Sequence, residues 1–158
     1  MKKLSKNLAM YILYFGMFVA VFCAMTLKAE AANVTTGKLG DSNGITWTYD
    51  ADTKTLTITG EDEGILGDYR GSVFVDICPE VEHIIVKDCT LYNCSMMFSE
   101  LEKVQSITFE NFDTSQVSDM MGMFHNCKSL SHLDLSDFDT SKVEDMYIMF
   151  LGCSELTD

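Results

Sequence analysis

Phe112-Asp113-Thr114-Ser115 recurs as Phe138-Asp139-Thr140-Ser141, 26 residues later. The same offset carries Val117 to Val143, Asp119 to Asp145, Met120 to Met146, Met123 to Met149, Phe124 to Phe150, Cys127 to Cys153 and Leu130 to Leu156. That makes 11 identities over 21 aligned positions, all in phase. A worn copy precedes these: Val104, Ile107, Phe109 and Phe112 match Leu130, Leu133, Leu135 and Phe138, and Met97-Phe98 precedes Met123-Phe124 by one period. Further back, Val81, Ile84, Val86 and Cys89 keep the spacing in a unit three residues shorter. A unit this small cannot bury its apolar face alone, so the pattern requires units stacked on one another.

Within one unit, Leu130-x-x-Leu133-x-Leu135 reads as a strand with both later leucines inward and Asp134 outward. Ser141 lies three residues before Glu144, a capping-box spacing. Val117, Met120, Phe124 and Cys127 then form one stripe of a short helix. Asn126 and Gly152 share a phase just after it, and both types accept the left-handed conformation of a helix C-cap. The sequence therefore predicts an α/β solenoid of leucine-rich-type repeats over residues 77–158, with one short strand plus one short helix per coil. The solenoid is expected to be incomplete at its C-terminus, because residue 158 falls in mid-repeat.

Upstream, Ile45, Trp47 and Tyr49 alternate with threonines, as do Leu56 and Ile58, and a polar turn separates the two runs. That predicts a β-hairpin cap with one buried face, within a module of residues 44–76. Residues 32–43 read as a leader. Residues 1–31 read as a signal peptide with a helical apolar segment: Lys2, Lys3 and Lys6 precede an uncharged run from Ala9 to Leu27, and Ala29-Glu30-Ala31 supplies small residues for cleavage before Ala32. If uncleaved, residues 9–27 would be the one membrane contact, being close to the length that spans a bilayer.

The formal net charge is −13. Removal of the signal segment takes four lysines and one glutamate from 11 basic and 24 acidic residues, leaving 7 and 23, a formal −16. Phosphate backbones would repel such a chain, so nucleic acid is excluded as a partner.

The residues offer no catalytic constellation. The two Asp-Thr-Ser triplets recur in phase and read as turn and capping residues. His83, His125 and His132 lack metal-ligand spacing. Asp134, Asp137 and Asp139 cluster, and stacking could align them for calcium, but the glycine and distal glutamate of a calcium loop are missing. Cys127 and Cys153 keep repeat phase and are expected to be buried and reduced. No catalytic, cofactor-binding or metal-binding residue and no cofactor is assigned.

The phrase from Phe112 to Ser141, FDTSxVxDMxxMFxxCxxLxxLDLSxFDTS, resembles the 26-residue repeat of BspA-like leucine-rich repeat surface proteins. The resemblance covers residues 81–158, and Gly44–Gly60 resembles the β module that often precedes such repeats. It implies an exported, Sec-dependent protein of the bacterial surface or medium. Its role would be non-catalytic binding or adhesion, with a host extracellular or other cell-surface protein as partner. The alternative is a truncated fragment of a longer repeat protein with no independent function.

Overall fold

The computed structural model describes residues 33–39, 44–60, 65–66 and 74–157. The expected signal peptide lies outside the described residues. Six strands and one helical turn follow in order: β1 (Val34–Leu39), β2 (Ile45–Asp50), β3 (Thr55–Gly60), β4 (Ile65–Leu66), α1 (Phe74–Ile77), β5 (His83–Leu91) and β6 (Ser106–Asp113). β1, within the segment read as leader, pairs antiparallel with β2. β2 and β3 form a hairpin in which Trp47 faces Ile58 and Tyr49 faces Leu56. Ile45, Trp47, Leu56 and Ile58 are buried on one face, as period-two alternation demands.

From β3 onward the pairing turns parallel. β5 takes β3 along Thr55–Thr59 and β4 at Thr90–Leu91, and on its other side it takes β6. β5 and β6 run in register at an offset of 23 residues, from His83↔Ser106 to Thr90↔Asp113. Asp88 and Asn111 hold matching left-handed kinks at φ 55° and 50°, and the Asn111 amide donates to Asp88 Oδ1 at 3.0 Å.

This open, mixed sheet overturns the expected α/β solenoid with one helix per coil. Among the described residues the sole helix is α1, four residues long and ahead of the repeats. Where Val117–Cys127 was to be helical, the chain instead makes successive tight turns. The carbonyls of Met120, Gly122 and Phe124 accept from the amides three residues on, at 3.2, 2.9 and 3.2 Å. The intervening amides leave the segment altogether. Met120, Gly122, Phe124 and Asn126 donate to the carbonyls of Asp145, Tyr147, Met149 and Leu151 at 2.8–3.0 Å. One repeat earlier, Cys94, Met96, Phe98 and Glu100 donate likewise to Asp119, Met121, His125 and Met123 carbonyls, the last two being the acceptors for Glu100 and Phe98 respectively. An α-helix would have used these amides internally. Here they bind one repeat to the next, so every second backbone group finds its partner across the stack.

Left-handed residues make that conformation, and they recur in phase. Met96, Gly122 and Ile148 have φ of 57°, 59° and 52°; Glu100, Asn126 and Gly152 have φ of 64°, 58° and 84°. Asn126 and Gly152 are thus left-handed, but they close tight turns and cap no helix. The capping-box reading of Ser141 and Glu144 fails with the helix. The Ser141 amide donates to Asp139 Oδ1 at 2.9 Å, and the Glu144 amide donates to the Ser118 carbonyl at 2.8 Å.

The core runs unbroken from sheet to turns. Phe74, Phe98, Phe124 and Phe150 stack as a ladder, with centroids 6.4, 5.9 and 5.6 Å apart and planes within 17°, 13° and 8°. Phe98 and Phe124 are fully buried, while Phe150 at the end is 41% exposed. The Cys127 and Cys153 thiols donate to the carbonyls of Phe98 and Phe124, each at 3.0 Å. Both cysteines are free, Cys127 buried and Cys153 half-buried.

Candidate functional site

The parallel ladder stops beside β6. The next repeat runs alongside it at an offset of 26 residues, yet the two pair only through the bridge Ser106↔His132. The cause is local chemistry. Thr108 and Glu110 in β6 align with Asp134 and Ser136. Thr108 is β-branched and stays extended. The Asp134 carboxylate instead accepts from the Ser136 amide at 2.9 Å, and the Phe138 amide closes on the Leu135 carbonyl at 3.0 Å. Such an Asx-turn competes with the sheet for the backbone. The chain rejoins its neighbour at Thr114, whose buried Oγ1 accepts from the Asp139 amide at 2.8 Å and donates to the Asp139 carbonyl at 3.2 Å.

Between these two points a cleft of about 670 Å³ opens, bounded by β6 and residues 131–138. Ile107, Phe109, Phe112 and Phe138 supply its apolar lining. Phe138 packs on Phe109 and Phe112 with centroids 4.9 and 5.4 Å apart. Asp113, Asp134, Asp137 and His132 are the titratable groups among its polar lining, and all four are exposed.

Four glutamates elsewhere, Glu80, Glu82, Glu100 and Glu102, have partners one unit away. Lys54 bonds to Glu82, Lys103 to Glu80 and Lys128 to Glu102. Glu100 takes His125 at 3.2 Å and the Asn126 side chain at 2.9 Å. The Lys103 ammonium lowers the Glu80 carboxyl below its usual value, and the hydrogen bond to Glu82 raises the Lys54 ammonium. Among the described residues no salt bridge reaches Asp113, Asp134 or Asp137. Asp113 and Asp134 are held by backbone amides, from Ser115 and Ser136. The Ser136 donors lower Asp134 below the ordinary carboxyl value, and those of Ser141 do the same for Asp139. Both groups are thus anionic at neutral pH, with His132 and Lys142 adding smaller favourable fields, and among the described residues no salt bridge reaches either.

Of the three aspartates weighed for calcium, Asp134 and Asp137 line the cleft, while Asp139 turns into its own Asx-turn. Among the described residues no group of three acidic, histidine or cysteine side chains is placed to hold a metal ion. His83 meets Ser106 at 2.9 Å on the sheet, away from His125, which faces Glu100. The buried thiols are poor nucleophiles. Burial pushes Cys78, Cys94 and Cys127 up to about 12 and Cys89 to about 11. Sequence reasoning missed both Asp113 as a cleft residue and Thr114 as a clamp. The signal for the cleft was the change from Thr108-x-Glu110 to Asp134-x-Ser136 within an otherwise repeated strand.

Residues 88–158 match the family described as "Mycoplasma protein of unknown function, DUF285". That span holds the last four residues of β5, all of β6 and all the stacked turns. No curated protein and no solved structure matches the chain.

Proposed function

We propose that this chain is an exported, non-catalytic binding protein that uses the cleft beside β6 to hold another protein at the bacterial surface or in the medium. The observation that carries this reading is the contrast in charge. Glu80, Glu82, Glu100 and Glu102 are paired within the stack, whereas among the described residues no salt bridge reaches Asp113, Asp134 or Asp137 beside the cleft. An exposed concavity with fixed, uncompensated charge favours an oppositely charged partner. The finer relationship, to BspA-like surface proteins, rests on the repeat phrase from Phe112 to Ser141, which lies within the family-matched span. Export through the Sec pathway rests on the lysines, apolar run and small residues of the first 31 positions.

The test is to express the full chain in a Gram-positive host and to measure two things. The first is surface or medium location by protease shaving and immunodetection. The second is attachment of those cells, or of the released chain, to coats of purified extracellular proteins. The expected result is an exported chain that adds attachment over an empty-vector strain. A chain that stays in the cytoplasm, or one that is exported and adds no attachment to any coat, overturns the reading.

A further inference from the structure

We propose that the cleft takes an extended, lysine- or arginine-bearing polypeptide segment, which adds to β6 as its next parallel or antiparallel strand. This rests on the binding reading above and names the chemistry of its partner.

Three features converge on that occupant. First, β6 is an edge. Its pairing with β5 is continuous from Ser106 to Lys87's partner Glu110 and resumes at Phe112, whereas its far side carries only the Ser106↔His132 bridge. An edge strand with an open side is a template for another strand, because its amides and carbonyls gain ladder partners there. Second, the Asx-turn at Asp134 holds the neighbouring repeat away and leaves a cleft of about 670 Å³, with no ladder strand along it. The turn is fixed by a side chain, so the gap is part of the sequence. Third, the lining suits alternating side chains. Phe109, Phe112 and Phe138 offer an apolar face, while Asp113, Asp134 and Asp137 offer carboxylates that no salt bridge among the described residues reaches. Successive residues of an added strand point to opposite faces. Apolar residues would therefore meet the phenylalanines, and the cationic residues between them would meet the aspartates.

The occupant is a strand in this reading, and a folded basic domain resting on a negative surface is the competing outcome. A metal ion would need ligands drawn together, and here Asp134 is committed to the Ser136 amide.

The experiment titrates the full chain with a short labelled peptide of alternating Lys and Val. Two other peptides serve as comparisons: one of alternating Glu and Val, and a Lys-Val peptide in which prolines replace alternate valines. The protein variants are the triple Asp113→Asn, Asp134→Asn, Asp137→Asn and a control with Glu144→Gln, Glu155→Gln and Asp145→Asn. Asparagine retains the side-chain oxygen that makes an Asx-turn, so the cleft keeps its shape and loses its charge. Lys-Val should bind, the Glu-Val peptide should not, and the proline peptide should bind roughly tenfold more weakly or worse, because it cannot complete a ladder. The cleft triple should weaken Lys-Val binding by roughly tenfold or more, and the control triple should have little effect. Amide exchange at residues 107–112 should slow on binding. Equal binding of the Lys-Val and proline peptides, or equal losses in the two triple variants, would mean that bulk charge holds the peptide, and would overturn the proposal. Exported cells that keep their attachment when they carry the cleft triple would also overturn it, yet leave the broader binding reading standing.

Discussion

The sheet from β3 to β6 and the turn ladder from Cys94 to Cys153 solve one problem in two ways. Both stack successive segments of the chain, and both join neighbours by parallel backbone hydrogen bonds. In the sheet, β-branched and aromatic residues such as Ile84, Val86, Ile107 and Thr108 keep the backbone extended. In the ladder, Asp119, Gly122 and Asn126 fold it into tight turns, and alternate amides still cross to the next unit. The contrast shows that the phase of the apolar residues sets which units stack. The polar and glycine residues between them set the backbone conformation in which they do so. Where the two influences part company, at Asp134, the ladder breaks and the cleft opens.

The largest expected effect lies in the phenylalanine ladder. Phe124→Ala should cost about 3–5 kcal/mol, because its ring is fully buried between two others. Phe150→Ala, at the exposed end, should cost about 1 kcal/mol, on the scale of one aromatic contact. Urea unfolding of the two variants checks the difference, and similar losses would mean that the ladder does not carry the turn region.

Thr114→Val should cost about 1–3 kcal/mol, since it removes both hydrogen bonds to the Asp139 backbone while preserving shape. Thr114→Ser should retain most of the stability. If valine and serine behave alike, the clamp does not join the two repeats.

Alkaline titration separates buried from half-buried positions. The folded thiols of Cys78, Cys94 and Cys127 lie near 12 against an ordinary 9.0, so the unfolded chain loses these protons first. Their contribution to stability is complete below about pH 9. It falls as pH rises from there towards 12. Thermal melts should show that decline, and Cys153, the half-buried member, should be alkylated before Cys94 and Cys127. Equal alkylation rates at the three positions would contradict the burial described here.

The smallest change in stability should come from Asp134→Thr, within about 0.5 kcal/mol for an exposed position. Its effect on shape should be larger. Without the Asx-turn, residues 132–136 should continue the ladder along β6 and protect its amides from exchange. Unchanged exchange at residues 107–112 would show that something other than Asp134 opens the cleft.

Much of this was legible in the sequence. The hairpin alternation of Ile45, Trp47, Leu56 and Ile58 corresponds to the buried face of β2 and β3. The in-phase set Met120, Met123, Phe124, Cys127 and Leu130 is the buried core of its repeat. The backbone was not legible, for a physical reason. A stripe at spacings of three, four and seven fits a helix, but it also fits a run of turns closed over three residues, as at Met120–Met123 and Phe124–Cys127. Gly122, inside the supposed helix, was the discriminating residue. At φ 59° it takes the left-handed backbone that glycine enters most readily and that Met96 and Ile148 take in phase, and a Cβ there would meet the flexible Met96 side chain at 2.5 Å. The cleft was illegible because the repeat alignment made Leu133 and Leu135 look like a strand. That strand-like pattern hid the one signal of the Asx-turn, the change to Asp134-x-Ser136.

Couplings transmitted through hydrogen bonds, read by NMR on the isotope-labelled full chain, test the stacked-turn account most directly. The account predicts that the amide nitrogens of Gly122, Phe124 and Asn126 couple to the carbonyl carbons of Tyr147, Met149 and Leu151, whose oxygens lie 2.9, 3.0 and 2.8 Å away. Couplings from Phe124 to Met120 and from Cys127 to Met123, the four-residue pattern of an α-helix, would contradict it.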